Sequence, residues 1–161
     1  MATKKFPVLL VATLAAVLSF GVRAEGRVES EGICFTPADW IGKYPAETTR
    51  GQGSFLDLPC IKKSLLNLLP AREYKSVRTE LAVDAPIGKV DRFLIVSRCQ
   101  AHNCPSYHAM VIVDTESADM VVGVYQRNSS TARTIWYSTR TDPLELPKEV
   151  LERFLRRHVP K

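Results

Sequence analysis

The sequence predicts an α+β fold in which an antiparallel sheet of about five strands is flanked by short helices. Two observations support this class. Up to residue 69 the apolar residues recur at helical spacing, whereas beyond residue 75 they occur in short runs separated by turn-type clusters. A last amphipathic segment follows Pro147. Helices, then strands, then a helix is an order typical of α+β domains.

Residues 1–24 have the features of a secretory signal peptide. A pair of lysines precedes an almost wholly apolar stretch over 6–22, and small residues stand just before a predicted cut between Ala24 and Glu25. The apolar stretch is too short and wrongly flanked for a stable membrane span. We therefore expect a mature domain over 25–161, located in the periplasm or secreted, with an uncleaved N-terminal anchor as the alternative.

The charge of the mature domain argues against a nucleic-acid partner. The full chain carries a net charge of +5, and removal of Lys4, Lys5 and Arg23 with the signal peptide leaves +2 (5 − 3). A nucleic-acid surface would need more positive charge along one face. No further apolar run approaches the roughly 20 residues of a membrane span. The cations near the C-terminus are expected to form a solvated helix end; they are Arg153, Arg156, Arg157 and Lys161.

Two helices are predicted in the first half of the mature chain. Thr36, followed by Pro37 and then an aspartate, is typical of a helix start, which predicts a short helix over about 37–43. A second helix is predicted over about 59–69 and ends at Pro70. The residues expected to face the core are Trp40 and Ile41 in the first helix and Ile61, Leu65, Leu68 and Leu69 in the second, with Leu66 beside them.

Strands and one last helix follow. Val77, Leu81 and Val83 occupy alternating positions, which predicts a first strand, and four further runs lie between turn clusters. The further runs are 93–96, 109–113, 120–125 and 134–137. Their even spacing favours an antiparallel meander, with Asn128-Ser129-Ser130 as a hairpin turn. The final helix begins at Pro147, and its inward-facing residues are expected to be Val150, Leu151, Phe154 and Leu155.

The cysteines indicate disulfide bonds. All four lie in the part of the chain expected to be exported, and an even number in an exported domain is typical of disulfides. Three pairings are possible. Proximity in sequence favours Cys99 with Cys104, which leaves Cys34 with Cys60.

One six-residue window points to function. It lies between two predicted strands and consists of Cys99, Gln100, Ala101, His102, Asn103 and Cys104. If its cysteines are bonded, His102 is held on a stiff hairpin tip. Such a tip lowers the entropy cost of binding. A histidine presented in this way suits insertion into the cleft of another protein better than metal binding or catalysis.

Other chemistries are less well supported. Cys99, His102, Cys104 and His108 are ligand types that zinc accepts, but their spacing is tighter than in common zinc modules, and His108 is expected to be a sheet residue. The carboxylates at predicted strand ends are expected to be solvated; they are Asp84, Asp91, Asp114, Glu116 and Asp119. We expect no enzyme activity, no cofactor and no metal. The tryptophans, Trp40 and Trp136, are expected in the core or at a sheet edge rather than stacked on sugars.

The stretch from Ser97 to Cys104, with Ser106 and the apolar strand Ala109 to Val113, resembles the inhibitor of vertebrate lysozyme (Ivy) family of Gram-negative bacteria. That family carries a disulfide-closed loop of the form Cys-Lys-Pro-His-Asp-Cys. The signal peptide, the segment 69–71 and the strand with Met120 and Gly123 fit the same pattern. The resemblance covers about 60–155.

The resemblance implies a proteinaceous inhibitor that protects peptidoglycan. The loop histidine, here His102, would enter the cleft of a c-type lysozyme and hydrogen-bond both catalytic carboxyl groups, with Cys99 and Cys104 as the clamp. It also implies a five-stranded sheet with flanking helices, and a homodimer as in many members.

The loop departs from the family pattern at three positions. Gln100-Ala101 replaces Lys-Pro, and Asn103 replaces aspartate. Animal lysozymes are strongly basic, so a positively charged inhibitor gains no overall electrostatic steering toward them. The alternative targets are the cell's own lytic transglycosylases or the muramidase of a rival, against which the chain would be an immunity protein. The alternative to a binding function is a catalytic one, in which the chain is a wall-active or thiol enzyme.

Overall fold

A computed structural model describes residues 32–48, 51, 53–142 and 144–156. The predicted signal peptide and its cleavage site lie outside these residues, as do Pro143, Arg157 and Lys161. Within the described ranges, no helix is both long and apolar enough to cross a membrane.

The order of elements confirms the α+β class. Two 3-10 turns precede the first α-helix, a π-helix precedes the strands, and an α-helix follows them. The 3-10 turns are Pro37–Asp39 and Phe55–Asp57, and the helices are α1 (Pro59–Leu68), α2 (Ala71–Lys75), the π-helix (Ser76–Glu80) and α3 (Lys148–Leu155). The strands are β1 (Val83–Asp84), β2 (Gly88–Val90), β3 (Phe93–Cys99), β4 (Tyr107–Asp114), β5 (Met120–Arg127) and β6 (Ala132–Ser138).

The sheet is an antiparallel meander of β3, β4, β5 and β6. Two short strands share the other edge of β3, with β2 opposite its beginning and β1 opposite its end, where Val83 faces Cys99. Because successive strands of a meander reverse direction, the β3–β4 and β5–β6 turns lie at the same end of the sheet. The N–H of Arg127 joins these turns through a 2.7 Å hydrogen bond to the carbonyl of Ser106.

Both faces of the central strands are buried. Leu94 and Val96 pack on the face covered by α1 and the N-terminal turns, whereas Phe93 and Ile95 pack on the face covered by α3. Every residue of β3 is therefore buried. A strand covered on both sides has a continuous apolar sequence and not an alternating one, which explains the unbroken runs that predicted these strands.

The predicted strand that begins at Val77 is wrong. Val77 and Leu81 are buried as expected, but residues 76–80 form the π-helix, and Val83 is exposed in the two-residue β1. A pair of apolar residues four positions apart fits a helical turn as well as an alternating strand. The short sequence pattern therefore could not separate the two conformations.

Several predicted core positions in the helices are also wrong. Helix 37–43 is only a 3-10 turn in which Thr36 makes no side-chain cap, and Ile41 is exposed although Trp40 is fully buried. In α3, Val150 and Phe154 face the sheet, while the adjacent stripe of Leu151 and Leu155 is exposed. A helix packed on one sheet buries only one stripe, and among the described residues no second layer covers the flank of α3.

Candidate functional site

The six-residue window forms the β3–β4 hairpin tip. Cys99 ends β3, and a disulfide joins it to Cys104 across a Cα–Cα distance of 4.8 Å. Ala101 and His102 are exposed at the tip, whereas Cys99 is buried in the sheet. The imidazole therefore projects from a loop whose base is anchored in the core.

A tight turn sets the direction of His102. The carbonyl of Gln100 accepts a 3.0 Å hydrogen bond from the N–H of Asn103, so Ala101 and His102 are the central pair of a four-residue turn. His102 has a φ of +61°. A positive φ at this third position is required in a type II turn, and it is uncommon for a residue with a side chain. The position would favour glycine on backbone grounds, so the imidazole is present there at a conformational cost.

Two of the three residues that depart from the family pattern contact each other. The side-chain amide of Asn103 donates a 2.8 Å hydrogen bond to the side-chain carbonyl of Gln100. This bond spans the turn beside His102. It supplies a local constraint in a loop that lacks the stiffening of a proline at position 101.

Backbone hydrogen bonds tie the loop to β4. The N–H of Gln100 donates to the carbonyl of Tyr107 at 3.0 Å, and the carbonyl of Asn103 accepts from the N–H groups of Ser106 and Tyr107 at 2.9 Å each. The loop is thus held by the disulfide, a turn and three further bonds. A loop held by this many bonds has little conformational entropy left to lose if its tip contacts a partner.

Comparison with known proteins assigns the family. The family model described as inhibitor of vertebrate lysozyme (Ivy) matches residues 61–160, which include the whole loop. The chain belongs to the Ivy family. Neither the curated proteins nor the solved structures contain a significant match to it.

A buried arginine supports the loop of this Ivy-family chain from below. Arg98 directly precedes Cys99, and its guanidinium donates a 2.5 Å hydrogen bond to the Asp84 carboxylate in β1. It also donates to the carbonyls of Val77 and Arg78 in the π-helix, at 2.8 Å each. Arg98 therefore joins β3, β1 and the π-helix at the base of the loop. Nothing in the local sequence signalled this role.

The expectation of solvated carboxylates is wrong for Asp84 and Asp114. The Asp84 side chain is only 6% exposed beside Arg98, and that of Asp114 is 1% exposed beside Arg92 at 2.9 Å. Each carboxylate has a structural ion pair. Burial of a carboxylate requires such a partner, and the arginines that provide it come from other strands or turns.

The π-helix has a second anchor in the N-terminal half. Arg78 donates a hydrogen bond to the Asp57 carboxylate, which also accepts one from the Ser54 hydroxyl at 2.6 Å. The hydrogen bond from Ser54, together with the Arg78 guanidinium, holds the pKa of Asp57 below its usual value despite partial desolvation. The segment next to the loop is thus attached on both sides.

His108 is a core residue beneath the loop. It is fully buried in β4, stacked on Tyr125 and edge-on to Phe154, with both ring centroids 5.0 Å away. Its Nδ1 lies 3.1 Å from the carbonyl oxygen of Cys104, a distance at which the Nδ1–H form donates a hydrogen bond. This placement matches the expected sheet residue and adds a contact to the backbone of Cys104 in the loop.

The structure does not assemble the zinc set. Cys99 and Cys104 are bonded to each other, and a disulfide offers no thiolate ligand. Over the described ranges of the chain, no group of three or more histidine, cysteine or acidic residues is placed to hold a metal ion.

The other sequence candidates have structural positions. Cys34 and Cys60 form the second disulfide, which joins the N-terminal turns to α1. Trp40 is in the core, and Trp136 lies on the edge strand β6 against Phe154 at 4.8 Å. The side chain of Asn128 accepts hydrogen bonds from the N–H groups of Ser130 and Thr131, which makes its segment a hairpin turn.

Proposed function

We propose that this Ivy-family chain is an exported inhibitor of c-type lysozyme, and that the imidazole of His102 occludes the active-site cleft. The observation that supports this proposal most directly is the exposed His102 on a disulfide-closed turn. The family match supports a lysozyme as the target. The signal-like segment and the two disulfides agree with a periplasmic or secreted location.

The chemistry of the cleft suits an imidazole. A retaining glycosidase holds two carboxyl groups roughly 5 Å apart, one protonated and one ionised. An imidazole carries two nitrogens on different edges of a compact ring, so it can hydrogen-bond to both groups at once. Protonation of the ring strengthens both contacts, because each becomes charge-assisted. The ring would then fill the space in which the sugar is cleaved.

The loop geometry explains how one histidine could be sufficient. The turn, the Gln100–Asn103 side-chain bond and the disulfide order the loop before binding. A side chain that fills a closed pocket at the centre of an interface can dominate the binding free energy, and its truncation typically costs about 2 kcal/mol or more.

The direct test is titration of the oxidised mature protein against a c-type lysozyme lysing bacterial cell walls. We expect inhibition at micromolar concentration or below, and a loss of at least about 30-fold in His102→Ala, the equivalent of 2 kcal/mol. Lys89→Ala, an exposed change in β2 at the opposite end of β3, is the matched control and should inhibit normally. Absence of inhibition by the wild type would count against the function, and an unaffected His102→Ala variant would locate the site elsewhere.

The same loop could act on other muramidases. Lytic transglycosylases and rival muramidases also use a catalytic glutamate, so the cleft chemistry does not distinguish them from c-type lysozyme. Which of these enzymes binds best depends instead on the surface beside the loop.

A further inference from the structure

A polar groove opens next to the His102 loop. It has a volume of about 820 Å³ and lies between the α2–π-helix segment and the two hairpin turns at this end of the sheet. Gln100 and Asn103 of the loop form part of its wall. A partner that receives His102 would therefore meet the edge of this groove at Gln100 and Asn103.

The groove is positively charged. Its charged lining residues are Arg72, Lys75, Arg127, Arg133 and Glu80, four cations and one carboxylate. All four cations are exposed. Their excess over the single acid is three positive charges (4 − 1) on one surface, more than the +2 of the whole predicted mature domain.

Most of this charge is not neutralised within the described part of the chain. Lys75 lies 3.8 Å from Glu80, whose carboxylate also accepts a hydrogen bond from Ser76. Arg133 donates to the neutral side chain of Gln126 at 2.9 Å. Arg72 and Arg127 have no acidic partner among the described residues. Three guanidinium groups, each able to bind a carboxylate with two parallel hydrogen bonds, therefore face solvent beside the inhibitory loop.

We propose that this basic groove receives acidic side chains on the rim of the target's cleft, so that the preferred partner is a muramidase with an acidic rim and not a strongly basic one. This inference rests on the proposed function, because it requires His102 to enter the cleft. A basic rim would meet like charge and be repelled, whereas an acidic rim would be attracted and would associate faster.

A wall glycan with acidic peptide stems is the other anion that this charge could bind. Two features favour a protein rim. The groove shares Gln100 and Asn103 with the inhibitory loop, and Tyr107, the single aromatic residue among its lining residues, is partly buried against the core.

The test compares two forms of one target. A c-type lysozyme and the same enzyme with succinylated lysines share a cleft, but succinylation replaces each lysine cation by a carboxylate. Association rates with the oxidised inhibitor are measured at 20 and 200 mM salt. We expect the wild type to associate at least 10-fold faster with the succinylated form at low salt, and this advantage to shrink at high salt.

Two charge-matched variants locate the effect. Arg127→Glu with Arg133→Glu changes the groove, and Lys62→Glu with Lys89→Glu changes two exposed cations outside its lining by the same four units of charge. We expect the groove variant to lose at least 10-fold more association rate toward the succinylated enzyme than the control variant, and to bind the native enzyme faster. Circular dichroism and thermal unfolding check that both variants fold.

The outcomes separate this inference from the proposed function. Equal effects of the two variants, or no preference of the wild type for the succinylated enzyme, would overturn the groove proposal while inhibition through His102 stands. Failure of the wild type to bind either form, or full binding by His102→Ala, would overturn the proposed function as well. Binding of an anionic muramyl peptide that depends on Arg127 and Arg133, with lysozyme association unchanged, would assign the groove to glycans and also overturn the proposal.

Discussion

The Arg98 guanidinium and the Asp84 carboxylate form a buried ion pair, 2.5 Å apart, at the base of the His102 loop. Arg98 adjoins Cys99 in sequence and also holds two carbonyls of the π-helix. This one side chain connects the hairpin that carries the histidine with the segment that forms the opposite wall of the basic groove. The position of the His102 hairpin relative to the groove wall therefore depends on Arg98, which belongs to neither the loop nor the groove lining.

Arg98→Met should destabilise the domain strongly. The change leaves the Asp84 carboxylate buried without its partner, and breaking a buried pair in this way costs about 3–5 kcal/mol. Denaturant unfolding of the oxidised protein measures the loss. Arg140→Met, which removes an exposed arginine paired at 3.5 Å with Asp119 and at 3.8 Å with Asp142, should cost less than about 1 kcal/mol. Equal losses in the two variants would show that the Arg98 pair does not stabilise the fold.

The two disulfides should have separable effects. Loop-entropy estimates give about 2 kcal/mol for the ring closed by Cys99 and Cys104 and about 3.5 kcal/mol for that closed by Cys34 and Cys60. Replacing Cys99 and Cys104 by alanine should therefore lower the free energy of unfolding less than replacing Cys34 and Cys60. It should weaken inhibition more, because it frees the turn around His102. Unfolding and inhibition assays on both double variants test this, and a larger loss of inhibition on removal of the Cys34–Cys60 bond would contradict it.

Ala101→Pro should improve inhibition. Ala101 is the second residue of the turn, where proline is favoured in types I and II, and its N–H makes no backbone hydrogen bond within the described residues. Proline at a compatible site stabilises by about 0.4–1 kcal/mol through the unfolded chain. If the same free energy also orders the unbound loop in its binding conformation, the inhibition constant should fall two- to five-fold. A weaker inhibitor with unchanged thermal stability would mean that the turn must adapt on binding.

Gly123→Ala should disturb the edge strand without affecting inhibition. A Cβ at Gly123 would meet ring atoms of Trp136 at 2.5 to 2.9 Å, closer than any normal contact. Forcing the indole away from Phe154 should cost about 1–3 kcal/mol and alter tryptophan fluorescence. In a Trp136→Ala background the same glycine change should cost much less, as a double-mutant cycle would show. Additive costs would exclude this clash as the cause.

The strong local patterns were predictable from the sequence. The four long strands were expected from apolar runs bounded by turn residues, and α1 and α3 from helical spacing next to prolines. The loop was also expected, because both of its cysteines and its histidine lie within six residues. Weak patterns failed: Val77 and Leu81 belong to a π-helix, and Leu151 and Leu155 are exposed.

By itself, the sequence determined the α+β class and the four long strands, and it favoured a histidine on a tip between two paired cysteines. Only the tertiary structure decided that Arg98 meets Asp84, that His108 lies beneath Cys104, and that Arg72 and Arg133 share one groove. The reason is physical: periodicity and turn chemistry act between neighbours in the chain, whereas ion pairing and surface charge depend on which distant segments packing brings together.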